Sequence, residues 1–151
     1  MTIEIREARF DEPEVRTLVS AALADLSQRY GGSGDDTPVA PEDFAPPRGR
    51  FFVASEGEVL IGCAGWRRHG PDAELKRMYT AQSARGRGVG RRLLATIEES
   101  ARADGCARVI LETGDRQPEA IRLYETSGYA RIEDFGYYQG HAGVRSFARQ
   151  L

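Results

Sequence analysis

The chain opens with an alternation: Ile3 and Ile5 are interleaved with Glu4 and Arg6, which predicts a half-buried strand over Thr2 to Arg9. Asp11 followed by Glu14 resembles a helix-capping pair, with Pro13 tolerated in the first turn. Val15, Leu18, Val19, Ala22, Leu23, Leu26 and Tyr30 then recur at helical spacing and predict a helix to about Tyr30. Residues 31–50, rich in Gly, Pro and Asp, read as a long loop with a short helical turn at Pro41 to Phe44. Two strands, RFFVAS and VLIGCAGWRR, flank a hairpin turn at Glu56, Gly57 and Glu58, and a third runs from Ala73 to Thr80. From Gly88, the residues Val89, Leu93, Leu94, Ile97 and Ala101 mark one face of a helix ending near Gly105. ARVILET is a continuous apolar run, expected of a central strand. Pro118 opens a short helix through Tyr124, closed by Gly128, and YARIEDF and VRSFARQ read as closing strands. Hairpins mixed with crossovers predict an α/β (α+β) fold in one domain over 1–151, a mixed sheet with helices on both faces.

Composition narrows the partners. The 151 residues are 40% hydrophobic and 29% charged with a net charge of −2, so no global field draws the chain to nucleic acid or anionic lipid. Cys63 and Cys106 are too few for a disulfide framework and lack metal-ligand spacing. Both read as reduced core residues, and no metal is expected. No apolar run approaches the ~20 residues of a membrane span and no signal segment opens the chain, so a cytoplasmic location is expected.

Against that acidic balance, Gly86, Gly88 and Gly90 stand among Arg85, Arg87, Arg91 and Arg92 where a strand gives way to a helix. The first amides of a helix have no intrahelical partner, and the macrodipole places about half a positive charge there. Glycines without Cβ atoms let those amides close on a phosphate, and arginines add charge. A solvated basic turn is the plainer alternative. The Walker lysine and hydroxyl are absent, and G-R-G-V-G is one residue short of the dinucleotide fingerprint. Glu112 does end the next strand, where a dinucleotide fold keeps its ribose-binding acid, but the junction follows two hairpins rather than opening the chain. Single-stranded RNA would want aromatic residues among the arginines, and none interleave.

R-G-R-G-V-G at 85–90 resembles the [QR]-x-x-G-x-[GA] signature of the GNAT superfamily of N-acetyltransferases. AELKRMYT resembles that family's fourth strand, LLATIEESARADGCARVILET its next helix and fifth strand, and AIRLYETSGY its tyrosine helix. The resemblance implies splayed fourth and fifth strands in a sheet of about seven. The pantetheine arm of acetyl-CoA would pair with Met78, Tyr79 and Thr80. Its pyrophosphate would lie on the amides of Arg85, Gly86, Arg87, Gly88, Val89, Gly90 and Arg91. It also implies Tyr124 as the acid that protonates the departing thiolate, and Glu74 as a possible base acting through water. Period-two alternation puts Glu74 on the same face as Met78. Gln117 stands where many members carry Asn near the cofactor. The expected activity is acetyl transfer from acetyl-CoA to a primary amine, with a non-catalytic CoA-binding module as the alternative and a homodimer as a common family state.

The acceptor side is less defined. Asp35, Asp36, Glu42 and Asp43 are either a solvated loop face or a lure for a cationic amine. Phe44, Tyr137 and Tyr138 are candidate walls of an apolar pocket. His69 and His141 read as surface residues, with His141 the better placed of the two for a proton relay.

Overall fold

The predicted alternations and helical stripes become elements over residues 2–151, which the computed structural model describes. These are β1 (Ile3–Glu7), α1 (Pro13–Tyr30), β2 (Gly49–Glu56), β3 (Val59–His69), β4 (Asp72–Thr80), α2 (Val89–Ala103), β5 (Arg108–Gly114), α3 (Pro118–Thr126), β6 (Ala130–Arg131) and β7 (Val144–Gln150). The strands form one sheet in the order β1-β2-β3-β4-β5-β7-β6. Only β4 and β5 are parallel neighbours, because α2 must carry the chain back across the sheet between them.

The sheet is covered on both faces. On one, Val15, Leu18 and Val19 of α1 pack with Phe44, Phe51, Val53 and Cys63. On the other, Leu93, Leu94 and Ile97 of α2 and Tyr124 of α3 pack with Trp66, Leu75 and Val109. Burial of each of these large side chains contributes about 1.5–3 kcal/mol.

Local details differ from expectation. Asp11 does not cap α1: its carboxylate takes Arg9 Nε at 2.9 Å, and the cap position falls to Glu12 with no side-chain bond. The strand expected from YARIEDF shrinks to Ala130–Arg131. Beyond it the Ile132 amide still donates to the Ser146 carbonyl at 3.0 Å, and the Ser146 hydroxyl donates to Asp134 Oδ1 at 2.8 Å.

Strand β4 carries an extra residue. Cys63 of β3 faces Tyr79, yet Gly65 faces Lys76, so a two-residue step on β3 spans three on β4. The added residue is Arg77, at φ 58°. A left-handed arginine is uncommon, and the bulge supplies the reason for it. The Cys63 thiol donates to the Arg77 carbonyl at 3.2 Å, and burial pushes the thiol up to about 12.

Candidate active site

β4 and β5 pair only at Ala73–Val109 and Glu74–Ile110, then part. Past that point β4 keeps its bonds to β3 as far as Thr80, and β5 keeps its bonds to β7 as far as Gly114. Each strand therefore presents one unpaired edge to the gap. Free backbone N–H and C=O groups on such an edge are a template for an extended ligand. Met78, Tyr79 and Thr80 lie on the β4 edge. The gap opens into a cavity of about 300 Å³ walled by Leu23 and Leu26 of α1, Met78, Glu112, Tyr124 and Tyr138. The C-terminal end of α1 closes its far side, where the Arg116 amide donates to Tyr30 Oη at 3.0 Å.

The glycine turn caps α2 at the open end of β4. Gly86 and Gly88 both sit at φ 80°, where a side chain would be strained, and the space around each is open. The Arg92 amide is the first to bond back into the turn, to the Gly88 carbonyl at 3.1 Å. The helix amides before it have no intrahelical acceptor. Several arginines have structural partners instead of open solvent: Arg87 pairs with Glu56, Arg91 donates to Thr126 and Ser127, and Arg92 donates to the Ile3 carbonyl. Arg85 donates to the Thr80 carbonyl at 3.2 Å. Val89 is buried in the core and Gly90 packs at ordinary distance from Leu123 and Met78.

Tyr124 is 7% exposed, and its hydroxyl has only Met78 Sδ, at 3.9 Å, as a neighbouring acceptor. Burial raises its pKa above the ordinary tyrosine value, so the proton stays on at neutral pH. Gln117 stands at the N-terminal boundary of α3 beside the cavity, with no side-chain bond to the helix.

The wall facing α1 is charged. Lys76 and Arg77, each with 6% side-chain exposure, converge on Asp35. Lys76 Nζ lies 3.2 Å from Asp35 Oδ2 and donates to Thr37 Oγ1 at 3.0 Å. Arg77 pairs with the same carboxylate and donates to the Thr37 carbonyl at 3.2 Å. The Tyr138 hydroxyl donates to Asp35 Oδ1 at 2.7 Å. Burial alone would raise Asp35, but Lys76, Arg77 and Thr37 hold it well below the usual carboxylate range. Burial, followed by the hydrogen bond to Asp35, pushes Tyr138 up to about 12.

Glu112 belongs to this wall. Its Oε2 accepts the Tyr138 amide at 3.0 Å, while its Oε1 is buried with no partner. A Cβ on Gly136 would stand 2.5 Å from Oε1, so a larger residue there would displace the carboxylate. Burial raises the Glu112 pKa despite the Tyr138 amide and Lys76. The residue ends β5 as the sequence indicates, but its position is inside the cavity, which no local spacing reveals.

Glu74 is arranged differently. It is 3% exposed, takes Arg67 Nε at 3.0 Å on Oε1, and is not part of the cavity wall. Nor does it share a face with Met78. Ala73, Leu75 and Met78 pack toward α2, whereas Glu74 and Lys76 face α1. The extra residue at Arg77 breaks the period-two count on which the expected shared face depends.

The acidic loop is largely committed within the protein. Asp35 holds two cations, Asp36 takes the Ser33 hydroxyl, and Asp43 binds the Ala40 amide and Arg67. Phe44 is core, 4.9 Å from Phe10 and 5.6 Å from Phe51 between ring centres, and is not part of this cavity's wall. Tyr137 is exposed and packs edge-on against Tyr138, 5.0 Å between ring centres. His141 lines the cavity against Tyr138, whereas His69 packs on Phe135 at the end of β3.

Known proteins resemble this chain in sequence and fold. The model of the Acetyltransferase (GNAT) family matches residues 19–129. An IAA acetyltransferase from Azospirillum brasilense is 40% identical over 99 residues, covering 64% of this chain and 65% of that protein's length. A candidate acyl-CoA N-acyltransferase from Klebsiella pneumoniae superposes with TM-score 0.82 at 26% identity, over 99% of this chain and 98% of that one. The PaiA N-acetyltransferase from Thermoplasma acidophilum, in complex with coenzyme A, shares the fold at TM-score 0.75 and 18% identity, over 100% of both chains. Parted strands, a glycine turn at their mouth and a family match across both agree: the chain belongs to the Acetyltransferase (GNAT) family.

Proposed function

We propose that the protein transfers an acetyl group from acetyl-CoA to a primary amine. The observation that carries this reading is the parting of β4 and β5 beyond Glu74 and Ile110, with the glycine turn at one end of the gap and the Tyr124 hydroxyl within it. The pantetheine arm would bond to the free edge of β4 at Met78, Tyr79 and Thr80. The pyrophosphate would take the amides from Gly86 to Arg91.

The chemistry needs a proton removed and a proton supplied. An acceptor ammonium, of pKa about 10.4 for a lysine-like amine, must lose a proton before its nitrogen can attack the thioester carbonyl. Glu112 is the group we assign to that removal. It lines the cavity, has a free oxygen, and its raised pKa makes it a stronger base than an ordinary glutamate. Glu74, tied to Arg67, is the weaker candidate. As the N–C bond forms and the C–S bond breaks, Tyr124 hydrogen-bonds the leaving sulfur and supplies its proton. With a raised pKa, Tyr124 stabilises that sulfur first as a hydrogen-bond donor, with full transfer completing as the thiol departs.

Titration calorimetry with acetyl-CoA, with NADH as control, tests the donor side, and release of CoA thiol on adding amines tests turnover. We expect micromolar binding of acetyl-CoA alone and thiol release dependent on amine. Absence of acetyl-CoA binding would overturn the reading.

A further inference from the structure

The cavity holds a charge arrangement that a simple amine does not need. Lys76 and Arg77 are both buried and both directed to one carboxylate, Asp35, which also accepts the Tyr138 and Thr37 hydroxyls. Lys76 uses two partners for its three protons. Arg77 Nε is buried with no partner at all. The other acid of the wall, Glu112, keeps Oε1 unpartnered. One donor and one acceptor, on two residues that line the same cavity, thus lack partners. Buried polar atoms are rarely left so in a finished structure, and at a ligand cavity the ligand is the natural partner.

Charge points the same way. An ammonium engaging Glu112 would leave Asp35 alone against two cations. A carboxylate on the same acceptor restores the balance, whereas a polyamine or aminoglycoside brings further positive charge to a wall whose cations already outnumber its remaining acid. Apolar side chains, Ala22, Leu23, Leu26, Leu111 and Val144, line much of the remaining wall. A cavity of about 300 Å³ lies at the small end of ligand sites.

We infer that the acceptor is a zwitterion, an α-amino acid with an apolar side chain, whose amino group meets Glu112 and whose carboxylate meets Lys76 and Arg77. This deepens the acetyltransferase reading and rests on it. The carboxylate takes the free Arg77 Nε–H and the third Lys76 proton. The side chain lies against Leu23 and Leu26.

The test compares leucine and phenylalanine with leucinamide and phenylalaninamide, following CoA thiol release by the wild-type protein. Each pair differs only in the carboxylate. We expect kcat/KM for the acid to exceed that for its amide by at least tenfold. Lys76→Met should bring the ratio near one by raising KM for the amino acid, with KM for acetyl-CoA unchanged; if that variant does not fold, the wild-type ratio decides. Equal or better use of the amides overturns the inference, as does turnover of other amines with none of the amino acids. Both of those outcomes leave acetyl transfer standing. Failure to bind acetyl-CoA, with no thiol release from any amine, removes the acetyltransferase reading and this inference together.

Discussion

The two sides of the β4 gap are built from opposite materials. Toward α2 and α3, Met78 and Tyr124 pack with Trp66, Leu93 and Phe147, and the Tyr124 hydroxyl has Met78 Sδ as its neighbour. Toward α1, a distance of one strand away, Lys76, Arg77, Asp35 and Glu112 form a buried charge network held by Thr37 and Tyr138. In the proposed reaction the apolar side would serve the thioester, which has no charge to compensate until its sulfur leaves. The charged side would serve an acceptor that must arrive as an ion and react as a neutral amine. On that reading the contrast would separate the two substrates by the electrostatics they require, and it can be broken one side at a time.

The largest effect should come from Asp35→Asn. It leaves two buried cations with no carboxylate, a loss of about 3–5 kcal/mol in folding stability, readable by denaturant melts. The sign follows from the depressed pKa: the wild-type contribution is present above the ordinary carboxylate range and is lost only as pH falls through the lower folded value. The variant should be weak at every pH, and an unaltered melt would mean that the network contributes little. Next, Glu112→Gln should lower kcat about 100-fold and abolish the acid limb of the pH–rate profile. Because the folded state raises the Glu112 pKa, its charge costs stability as pH rises through that value. The variant should therefore melt no lower than wild type at pH 7, and full activity would remove the assigned base.

Gly88→Val forces a β-branched residue to φ 80° and should weaken acetyl-CoA binding at least tenfold by calorimetry. Unchanged affinity would detach the glycine turn from the pyrophosphate. Tyr124→Phe removes one hydrogen bond to the leaving sulfur and should cost about tenfold in kcat, with acetyl-CoA affinity preserved. Equal turnover by the variant would leave the sulfur to solvent. Smallest is Glu74→Gln, whose kcat should stay within about twofold of wild type. A 100-fold loss there would transfer the base assignment from Glu112 to Glu74.

The helix stripe on the apolar side was readable from spacing, because it depends on neighbours in sequence. The stripe Val89, Leu93, Leu94, Ile97 and Ala101 buries as one helix face, and the glycine turn and Tyr124 fall on elements whose order is visible in the chain. The charged side was not. Its acids and cations lie far apart in sequence, as with Asp35 and Lys76, and neither sequence neighbourhood announces the other. A run of acids in a loop looks solvated until Arg67, Lys76 and Arg77 are seen to take them up. Glu112 shows the same limit: its place at the end of a strand was legible, but Gly136 and Tyr138, which close over it, come from a segment after the strand expected at YARIEDF, where only Tyr138 stood out as a candidate pocket wall. The bulge hid best of all, since an arginine at φ 58° carries none of the glycine or asparagine marks that would flag it.

That one added residue has a consequence for how such a fold diversifies. In a regular strand, neighbours in sequence look in opposite directions, so a second cation beside Lys76 would have to project into the apolar layer under α2. The insertion at Arg77 removes that obligation, and consecutive residues address the same carboxylate while Met78 and Tyr79 keep the orientations they would have had without it. A lineage that gains or loses a residue here rewrites the chemistry presented to one substrate in a single step, and leaves the seat of the other untouched.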